Sequence, residues 1–582
     1  MTQRTGIRRE PEATQVAAGA SLRPVDWHSI SWKQANRHVR RLQSRIAQAQ
    51  QQGRKRKVRA LQFILTRSFA ARCLAVRRVT ENSGKRTPGV DSQKLDTPEK
   101  KAQAVLNLNR EDYKAQPLKR LYILKNNGRA FRPLGIPTMQ DRAAQALHLC
   151  ALEPIAETTA DPNSYGFRKA RSVADAIEQC CNTLCRPTSA QWILEADIKS
   201  CFDEISHEWL LSHIPMDRKL LRKWLAAGFI ERQVHAPTTT GTPQGGVISP
   251  ALMNLTLDGL EPLLAQHFPP RSGKLVNLVR YADDFIITGR SKEILENEVK
   301  PLVTNFLKER GLQLSEKKTR ITHVIEGFDF LGRHIRKYPN GPTQQKLLTR
   351  PSRPNVQAFL AGIKTFFNEN LHTPVDKLLI RLNPKVRGWA LFHRSSASKE
   401  IFSYVDSRIF HELEYWMHRR HPRKTLLWCY RKYFTNTGNR SYVLQTSFPD
   451  RRGKPRTIRL FKAADVPIKR HVKIKAAANP FLPEWESYFE ERIALQMKDS
   501  FYGYDKLLRL WFNQDGLCPQ CGQKITRDTG WNLHHRIRLV DGGDDSMANL
   551  ILLHPACHQQ LHAQTNHADS LRRCTAFSSE SV

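Results

Sequence analysis

Apolar residues near the N-terminus recur with the period of an α-helix. Two sets stand at positions i, i+3 and i+7: Val39, Leu42, Ile46 and Val58, Leu61, Leu65. Gln51-Gln52-Gly53 separates the two sets, so the pattern predicts a helical hairpin. The polar faces are dense in arginine and lysine, which leaves two interpretations open: a hairpin that only packs, and one that also grips RNA.

Farther along the chain, the pattern changes to helices mixed with short apolar runs. Four runs have the length and composition of buried strands: Trp192–Ala196, Leu278–Tyr281, Phe285–Thr288 and Phe328–Leu331. A turn-rich segment at 85–92 precedes this region, and Pro339-Asn340-Gly341-Pro342 follows it. The sequence therefore predicts a mixed helix and strand module between two breaks.

Helical periodicity returns beyond the second break. Three apolar sets are spaced for one helix face each: Val356, Phe359, Leu360, Ile363, Phe366, Phe367; Val375, Leu378, Leu382; and Phe402, Val405, Ile409, Leu413, Trp416. These sets predict a small helical bundle with basic outer faces. Residues 435–500 are basic and contain two candidate strands, Ser441–Gln445 and Thr457–Phe461, and a last module begins near Tyr504.

The charge of the chain indicates its class of partner. The 582 residues include 93 Lys and Arg against 54 Asp and Glu, a formal net charge of +39. Because such an excess repels itself unless a polyanion neutralises it, nucleic acid is the expected partner. An anionic membrane is the weaker alternative, since no apolar run approaches the roughly 18 residues needed to span a bilayer. We expect no membrane association.

Cysteine usage and the N-terminus bear on the compartment. The eleven cysteines are scattered, except where they cluster with histidines near the C-terminus. This usage favours a reducing compartment and a metal site over a disulfide framework. The N-terminus has no signal-peptide core, and its mixture of arginines with Glu10 and Glu12 gives little support to a transit peptide. We therefore expect the bacterial cytoplasm and leave an organellar origin open.

Three aspartates lie at the ends of predicted strands. Asp197 ends the first strand, while Asp283 and Asp284 separate the second from the third. Neighbouring residues of a straight strand face opposite ways, so Asp283 and Asp284 must lie at a hairpin turn to reach one metal site. Two or three carboxylates suffice for the two Mg²⁺ ions with which polymerases copy nucleic acid. Solvated acids in a turn are the alternative for this tetrapeptide by itself.

Cysteine spacing near the C-terminus predicts a zinc site. Cys518-Pro-Gln-Cys521 has the spacing of a zinc knuckle, and Gly522 lets the turn close. His554-Pro-Ala-Cys557 repeats the spacing downstream. We expect a structural Cys₃His zinc site, because a module of about 60 residues has too small a core to be stable by itself.

Ordered sequence blocks carry a family resemblance. They are Ile123–Lys125, Arg132–Pro137, Ser164–Arg168, Asp197–Lys199, Gly241–Gly246, Tyr281–Asp284, Glu316–Thr319 and Phe328–Gly332. In this order they resemble the reverse transcriptases encoded by group II introns, and the resemblance runs from about Trp27 to the C-terminus. It implies a right-hand polymerase that copies RNA into DNA.

The resemblance implies a role for each matched position. Asp197 and Asp283 would be the main Mg²⁺ ligands, with Asp284 assisting. Four further residues would contact the incoming dNTP or the primer: Lys125, Arg132, Phe202 and Gln244. The two cations would face the triphosphate. The phenylalanine would reject a 2′-hydroxyl, so that the product is DNA.

Two later segments extend the resemblance. Asn383–Ala390 resembles the motif of the maturase domain, or thumb, which implies binding of the intron RNA in a ribonucleoprotein and help with its splicing. The C-terminal histidines resemble those of HNH nucleases, which build a ββα unit around one divalent ion.

The nuclease resemblance also assigns roles to residues. His535 would be the general base, and three histidines would surround the Mg²⁺ ion: His534, His558 and His562. Asn549 would fix the loop that aims His535. Because His554 and His558 flank Cys557, the division between zinc ligands and catalytic ligands stays open.

The expected fold is a multidomain α+β chain in seven parts. These are a disordered tail (1–22), a basic helical extension (23–84), fingers and palm (85–340), thumb (341–434), a region that binds target DNA (435–503), a ββα-metal HNH nuclease (504–566) and a tail (567–582). The expected function joins RNA-directed DNA polymerase, maturase and a strand-nicking endonuclease that primes cDNA synthesis. The alternatives are an RNA-binding splicing factor with idle enzymatic modules and a reverse transcriptase of retron or defence type. A homodimer is left open.

Overall fold

The computed structural model describes residues 26–108, 112–124, 131–341, 344–438, 440–449, 455–502, 504–538 and 541–562. The two predicted tails, 1–22 and 567–582, lie outside these residues. Within the described part of the chain, no helix combines the length and the apolar character needed to cross a membrane.

Four helices form the N-terminal region: α1 (Trp32–Gln51), α2 (Lys55–Arg67), α3 (Phe69–Glu81) and α4 (Pro98–Asn107). The predicted hairpin is confirmed, since α1 and α2 bury the two apolar sets that the period picked out. Gly53 joins the helices with a φ of +67°, a left-handed conformation that glycine adopts without strain after a helix end.

The next region combines a mixed sheet and an antiparallel sheet with helices. Its helices are α5 (Met139–Thr159), α6 (Val173–Leu184), α7 (Cys201–Glu204), α8 (His207–His213), α9 (Arg218–Leu225), α10 (Ser249–Leu257), α11 (Leu260–His267) and α12 (Lys300–Lys308). Its strands are β1 (Leu118–Leu124), β2 (Phe131–Ile136), β3 (Trp192–Asp197), β4 (Phe229–Glu231), β5 (Val234–Ala236), β6 (Asn277–Tyr281), β7 (Asp284–Gly289) and β8 (Arg320–His323). The first sheet has the order β2-β1-β4-β5, and the second has the order β6-β7-β3-β8.

The second sheet is buried on both faces. Ile193 and Leu194 are neighbours on β3, so their side chains point to opposite faces. Ile193 belongs to a core that includes Ile177 of α6, whereas Leu194 packs into another core with Leu252 of α10 and Leu307 of α12. Burial on both sides explains why these strands are continuously apolar in the sequence.

The break at Pro339–Pro342 follows the end of a strand. Strand β10 (Arg333–Pro339) pairs antiparallel with β11 (Gln345–Pro351), and β9 (Phe328–Phe330) pairs with the other edge of β10. Strand pairing therefore continues past the break, and the predicted helices begin only at Arg353.

The three predicted helices of the bundle are α13 (Arg353–Glu369), α14 (Val375–His393) and α15 (Lys399–Arg420), followed by α16 (Leu426–Tyr433). Trp416 is buried in their core, as expected. Trp389 is only partly buried, and its ring stacks on Phe359 with centroids 4.7 Å apart.

The segment after the helical bundle is in contact with the sheet region. Strands β12 (Phe434–Thr437), β13 (Arg440–Pro449) and β14 (Pro455–Arg459) form a separate antiparallel sheet, which confirms both candidate strands of this region, and α17 (Glu486–Ser500) follows. Asp175 of α6 fixes the segment: its carboxylate accepts hydrogen bonds from His471 at 2.9 Å, from the backbone of Ile474 at 2.7 Å and from Arg492.

The C-terminal unit packs against the N-terminal helices. It comprises α18 (Asp505–Asn513), β15 (Asn532–His535), β16 (Leu550–Leu553) and a last helix, α19 (residues 555–562). Its apolar residues share one core with α1, α2, α3 and α5. Trp32 donates to Gln560 at 2.6 Å, and Arg77 donates to the Sγ of Cys557 at 2.9 Å.

Candidate active sites

The predicted turn between two strands is present in the second sheet. β6 and β7 form a hairpin in which Tyr281 pairs with Asp284, so Ala282 and Asp283 are the two turn residues. Ala282 has a φ of +60°, as a tight hairpin turn requires at its first central position. On the other side of β7, Asp284 pairs directly with Asp197 of β3. Directly paired residues share a face of an antiparallel sheet, so the structure brings these two carboxylates together next to Asp283.

Buried contacts hold this turn in place. Arg280 is fully buried, donates to Asn254 at 3.2 Å and forms an ion pair with Asp258. Gly166 lies so close to the backbone of Ala282 that an added Cβ atom would overlap it. The block around Gly166 therefore supports the turn by direct backbone approach.

The three acids form a negatively charged group. Desolvation and then the charges of Asp283 and Asp197 raise the pKa of Asp284 to about 6. Desolvation and the charge of Asp197 also raise the pKa of Asp283. Lys318 lies 2.9 Å from Asp197 and offsets part of this charge. A divalent cation would be stabilised here, because it neutralises carboxylates that otherwise repel one another.

The carboxylates are spaced more widely than the cysteine and histidine clusters described below. Among the described residues, two groups place all their ligand atoms within 4.8 Å of one another, and the three aspartates are not one of them.

Phe202 lies on α7, directly after β3 in the chain. Its ring meets the exposed ring of Phe167 edge to face, with centroids 6.5 Å apart. Its backbone carbonyl accepts a hydrogen bond from Thr242 at 2.6 Å. The glycine-rich block is therefore attached to the same short helix as this side chain.

Gln244 is bound to the first sheet through its backbone. Its carbonyl accepts from the amide of Gly135 on β2 at 2.7 Å, and Gly245, with a φ of +120°, packs against the carbonyl of Gly135. The side chains of Phe202 and Gln244 line one cavity of about 340 Å³, together with Arg120. The structure thus brings these two predicted residues together.

Of the two basic side chains predicted to face the triphosphate, one lies within the described residues. Arg132 is exposed on β2, close enough for its charge to act on Asp283. Lys125 lies outside the described residues.

The structure brings together all four predicted zinc ligands. Cys518, Cys521, His554 and Cys557 are buried, and their ligand atoms lie within 4.8 Å of one another. The Sγ of Cys521 is 3.2 Å from Nδ1 of His554. Gly522 has a φ of +66° and donates its amide to the carbonyl of Cys518 at 2.8 Å, which closes the knuckle. Three thiols and one imidazole at this spacing are compatible with zinc.

A second cluster contains three histidines. His534 on β15 faces His558 and His562 of α19, with all three ligand nitrogens within 4.8 Å. Burial and the neighbouring imidazoles lower the pKa of His534 to about 4, and burial also lowers that of His558. Neutral imidazole is the form that binds metal. In this geometry, His554 groups with the cysteines and His558 with the other histidines.

Asn549 closes the loop between β15 and β16. Its side-chain Oδ1 accepts from the amide of Ile537 at 2.8 Å, and its Nδ2 donates to the carbonyls of Ile537 and Asp544 at 3.0 and 2.7 Å. Its own carbonyl accepts from the amide of Arg536 at 2.8 Å. Both ends of the loop are therefore fastened to one residue.

Four residues near these sites were missed by reasoning from the sequence. They are Arg77, Arg280, Lys318 and Asp545. Only Lys318 gave a signal, because it lies within a family block. The other three acquire their partners through folding: Arg77 reaches Cys557, Arg280 reaches Asp258, and Asp545 lies 2.8 Å from Nε2 of His535.

Four family models match the chain, each over a different region. They are the N-terminal domain of reverse transcriptase at residues 27–108, reverse transcriptase (RNA-dependent DNA polymerase) at 123–335, the group II intron maturase-specific domain at 356–434, and HNH endonuclease at 518–564. The class of protein is thus a reverse transcriptase joined to an HNH endonuclease.

Known proteins from bacteria and yeast are similar to this chain. Protein YkfC of Escherichia coli is 34% identical over 309 residues, which cover 45% of this chain and 80% of YkfC. The group II intron-encoded protein LtrA of Lactococcus lactis is 29% identical over 411 residues, 58% of this chain and 67% of LtrA. The putative COX1/OXI3 intron 2 protein of Saccharomyces cerevisiae is 24% identical over 530 residues, 77% of this chain and 58% of that protein.

The chain belongs to the group II intron-encoded reverse transcriptase and maturase family, in the form that carries an HNH endonuclease. It is multifunctional, with RNA-directed DNA polymerase, maturase and DNA endonuclease activities. Its maturase and polymerase domains bind intron RNA and nucleic acid substrates.

Proposed function

We propose that Asp197, Asp283 and Asp284 form the polymerase active site. The observation that carries this proposal is the strand register, which pairs Asp197 with Asp284 beside the turn at Asp283. Two Mg²⁺ ions bound there would activate the primer 3′-hydroxyl and neutralise the leaving pyrophosphate. Asp197 and Asp283 are the main ligands, and Asp284 assists.

Four residues bind the substrate in this proposal. Arg132 and Lys125 offset the charge of the dNTP triphosphate. Phe202 stacks under the sugar and rejects a 2′-hydroxyl, a role supported by its position on the helix that follows Asp197. Gln244 lets the backbone approach the primer and the nucleotide. Its side-chain Oε1 is buried and has no hydrogen-bond partner among the described residues, so it is ready to accept one from a substrate.

The polymerase assignment is tested by Asp283→Asn. This change removes one negative charge at almost constant volume, so we expect dNTP incorporation on a primed RNA template with Mg²⁺ to fall by about 10³-fold. RNA-assisted splicing should persist. Glu293→Gln, which removes an exposed acid just before the helical segment leading into α12, serves as the matched control and should polymerise normally. Undiminished polymerisation by Asp283→Asn would rule out the assigned site.

In the nuclease, His535 is the proposed general base. His534, His558 and His562 hold one Mg²⁺ ion, and Cys518, Cys521, His554 and Cys557 hold a structural Zn²⁺ ion. The two strands and the helix after them supply the ββα frame, and Asn549 fixes the loop. When bound, the Mg²⁺ ion supplies charge stabilisation at the scissile phosphate. His535 removes the proton from the attacking water.

His535→Ala tests this assignment. Loss of a general base lowers a rate by about 10²–10⁴-fold, so we expect bottom-strand nicking to become nearly undetectable while polymerisation continues. His267→Ala is the control, because His267 is exposed and its ring contacts Leu263 of its own helix and the adjacent Phe268. Continued nicking by His535→Ala would refute the assigned base.

The proposed activities combine during intron mobility. The intron RNA reverse-splices into the top DNA strand, the HNH unit nicks the other strand, and the new 3′ end primes cDNA synthesis. The thumb within 341–434 binds the intron RNA as part of a ribonucleoprotein, and 435–503 binds target DNA. The remaining limits that we propose are 23–84 for the basic extension, 85–340 for the fingers and palm, and 504–566 for the nuclease.

The bacterial cytoplasm is the proposed location, because two of the related proteins come from Escherichia coli and Lactococcus lactis. An organellar origin stays open, and the homodimer stays a prediction.

A further inference from the structure

The proposed general base has a carboxylate partner on the loop between β15 and β16. Nε2 of His535 lies 2.8 Å from Oδ1 of Asp545. The His535 side chain is 20% exposed and that of Asp545 is 45% exposed, so the pair lies at the protein surface where a DNA strand has access. A contact of this length between a ring nitrogen and a carboxylate oxygen is a hydrogen bond.

The backbone around Asp545 is fixed from two sides. The carbonyl of Asp544 accepts a hydrogen bond from Asn549 at 2.7 Å, and the carbonyl of Asp545 accepts one from Lys506 of α18 at 2.6 Å. Asn549 therefore influences His535 indirectly. It holds Asp544 in place, and the next residue of the loop, Asp545, contacts the imidazole of His535.

The acids of this loop are not interchangeable. Asp541 pairs with Arg538 at 2.5 Å, and Asp544 accepts from the amide and the hydroxyl of Ser546 at 3.2 and 2.6 Å. Asp545 is the acid that reaches the histidine. Each neighbour has its own partner, which makes Asp541 a matched control for Asp545.

The contact determines which nitrogen of His535 carries the proton. An ionised carboxylate only accepts hydrogen bonds, so Nε2 is the donor and Nδ1 keeps its lone pair. A general base needs that lone pair to take a proton from water. The same carboxylate stabilises the imidazolium that forms once the proton has moved.

We propose that Asp545 is a positioning residue of the nuclease: it holds His535 in the Nε2-protonated tautomer, with Nδ1 directed to the attacking water. This inference rests on the proposed role of His535 as general base. In this role Asp545 acts through the imidazole.

The test uses the full-length ribonucleoprotein, assembled with RNA transcribed from the DNA that flanks the reading frame. Its substrate is a duplex of the joined flanking exons, labelled on the bottom strand. Four variants are compared with the natural chain: His535→Ala, Asp545→Asn, Asp545→Glu and Asp541→Asn. Single-turnover nicking, DNA affinity and zinc content are measured separately. The histidine tautomer is read from the ring ¹⁵N chemical shifts.

We expect Asp545→Asn to slow nicking by about 10²-fold, with DNA affinity and zinc content unchanged. Asp545→Glu should restore part of the rate, and Asp541→Asn should behave as the natural chain. The ring ¹⁵N shifts should show the proton of His535 on Nε2 in the natural chain and a loss of that preference in Asp545→Asn.

The outcomes separate the two proposals. If His535→Ala still nicks, the general base itself is wrong. If His535→Ala is inactive while Asp545→Asn nicks at the natural rate, the base stands and the inference about Asp545 is overturned. A variant Asp545→Asn that loses zinc or DNA affinity but keeps its nicking rate constant would show a merely structural role, and would also overturn it.

Discussion

Arg280 shows how one buried side chain holds the tight turn between β6 and β7. It lies on β6, donates to Asn254 at 3.2 Å and to the carbonyl of Ala282 at 3.5 Å, and pairs with Asp258. Its guanidinium is buried, so each polar contact offsets the cost of removing the charge from water. The planar fork of an arginine reaches these partners together, whereas an ammonium group is a single point of charge.

At the residue scale, we therefore predict that Arg280→Lys loosens the turn. Lysine keeps the positive charge but cannot reach all three partners together, so hydrogen exchange at the amides of β6 and β7 should accelerate and primer extension should fall. Arg320→Lys is the matched control, because Arg320 is largely exposed in its pair with Glu195 and should change stability by under about 1 kcal/mol. Equal effects of the two changes would contradict this account of the turn.

At the scale of elements, local periodicity explains α1, α2 and α13 to α15, but contacts between distant elements explain the arrangement. The segment from β14 to α17 contributes Ile474 and Ala478 to the core around α6, and it is fastened to α6 through Asp175. Burial by itself would raise the pKa of Asp175, but the hydrogen bond from His471 and the charge of Arg492 outweigh it and hold the pKa at about 2.

This depressed pKa predicts release of the segment in acid. The folded pKa lies below the ordinary value of 3.8, so the stabilisation of roughly 2 kcal/mol is complete above about pH 4 and is lost as the pH falls towards 2. Hydrogen exchange at residues 466–500 should therefore increase over that range before the β3–β7 pairing opens. Asp175→Asn should abolish the pH step. An unchanged step in this variant would assign the transition to other groups.

At the scale of the whole molecule, the Cys₃His cluster lies in an interface between distant parts of the chain. Arg77 of α3 donates to Cys557 at 2.9 Å, pairs with Glu81 at 2.6 Å and stacks over the ring of Trp32. Trp32 in turn donates to Gln560 of α19. The nuclease and the N-terminal helices therefore share both a core and a polar network.

This interface predicts that zinc removal acts beyond the nuclease. Metal binding contributes about 10 kcal/mol or more to the folding of small zinc units. Chelation should therefore increase hydrogen exchange in α1 and α3 as well as in the C-terminal unit, while the β3–β7 pairing stays protected. Arg77→Met should keep zinc bound but produce part of the same increase. Unchanged protection of α1 and α3 after chelation would show that the two regions are independent.

Much of the fold could be predicted from patterns within short segments of the sequence. The hairpin of α1 and α2, the helices α13 to α15 and the strands β3, β6 and β7 follow from apolar period and turn residues, which act over a few positions. The cysteine spacing likewise anticipated the Cys₃His cluster, because two knuckles with x₂ spacing impose their own local geometry.

The sequence by itself determined the elements, the charge, the family and the residue types of both sites, because these depend on neighbours along the chain. Only the tertiary structure decided the partners: Asp197 opposite Asp284, His554 with the cysteines, Asp545 against His535 and Arg77 against Cys557. These pairs join residues whose spacing in the chain follows neither the helix period nor the strand period. Their contacts are fixed by strand register, by loop closure and by the packing of one module on another.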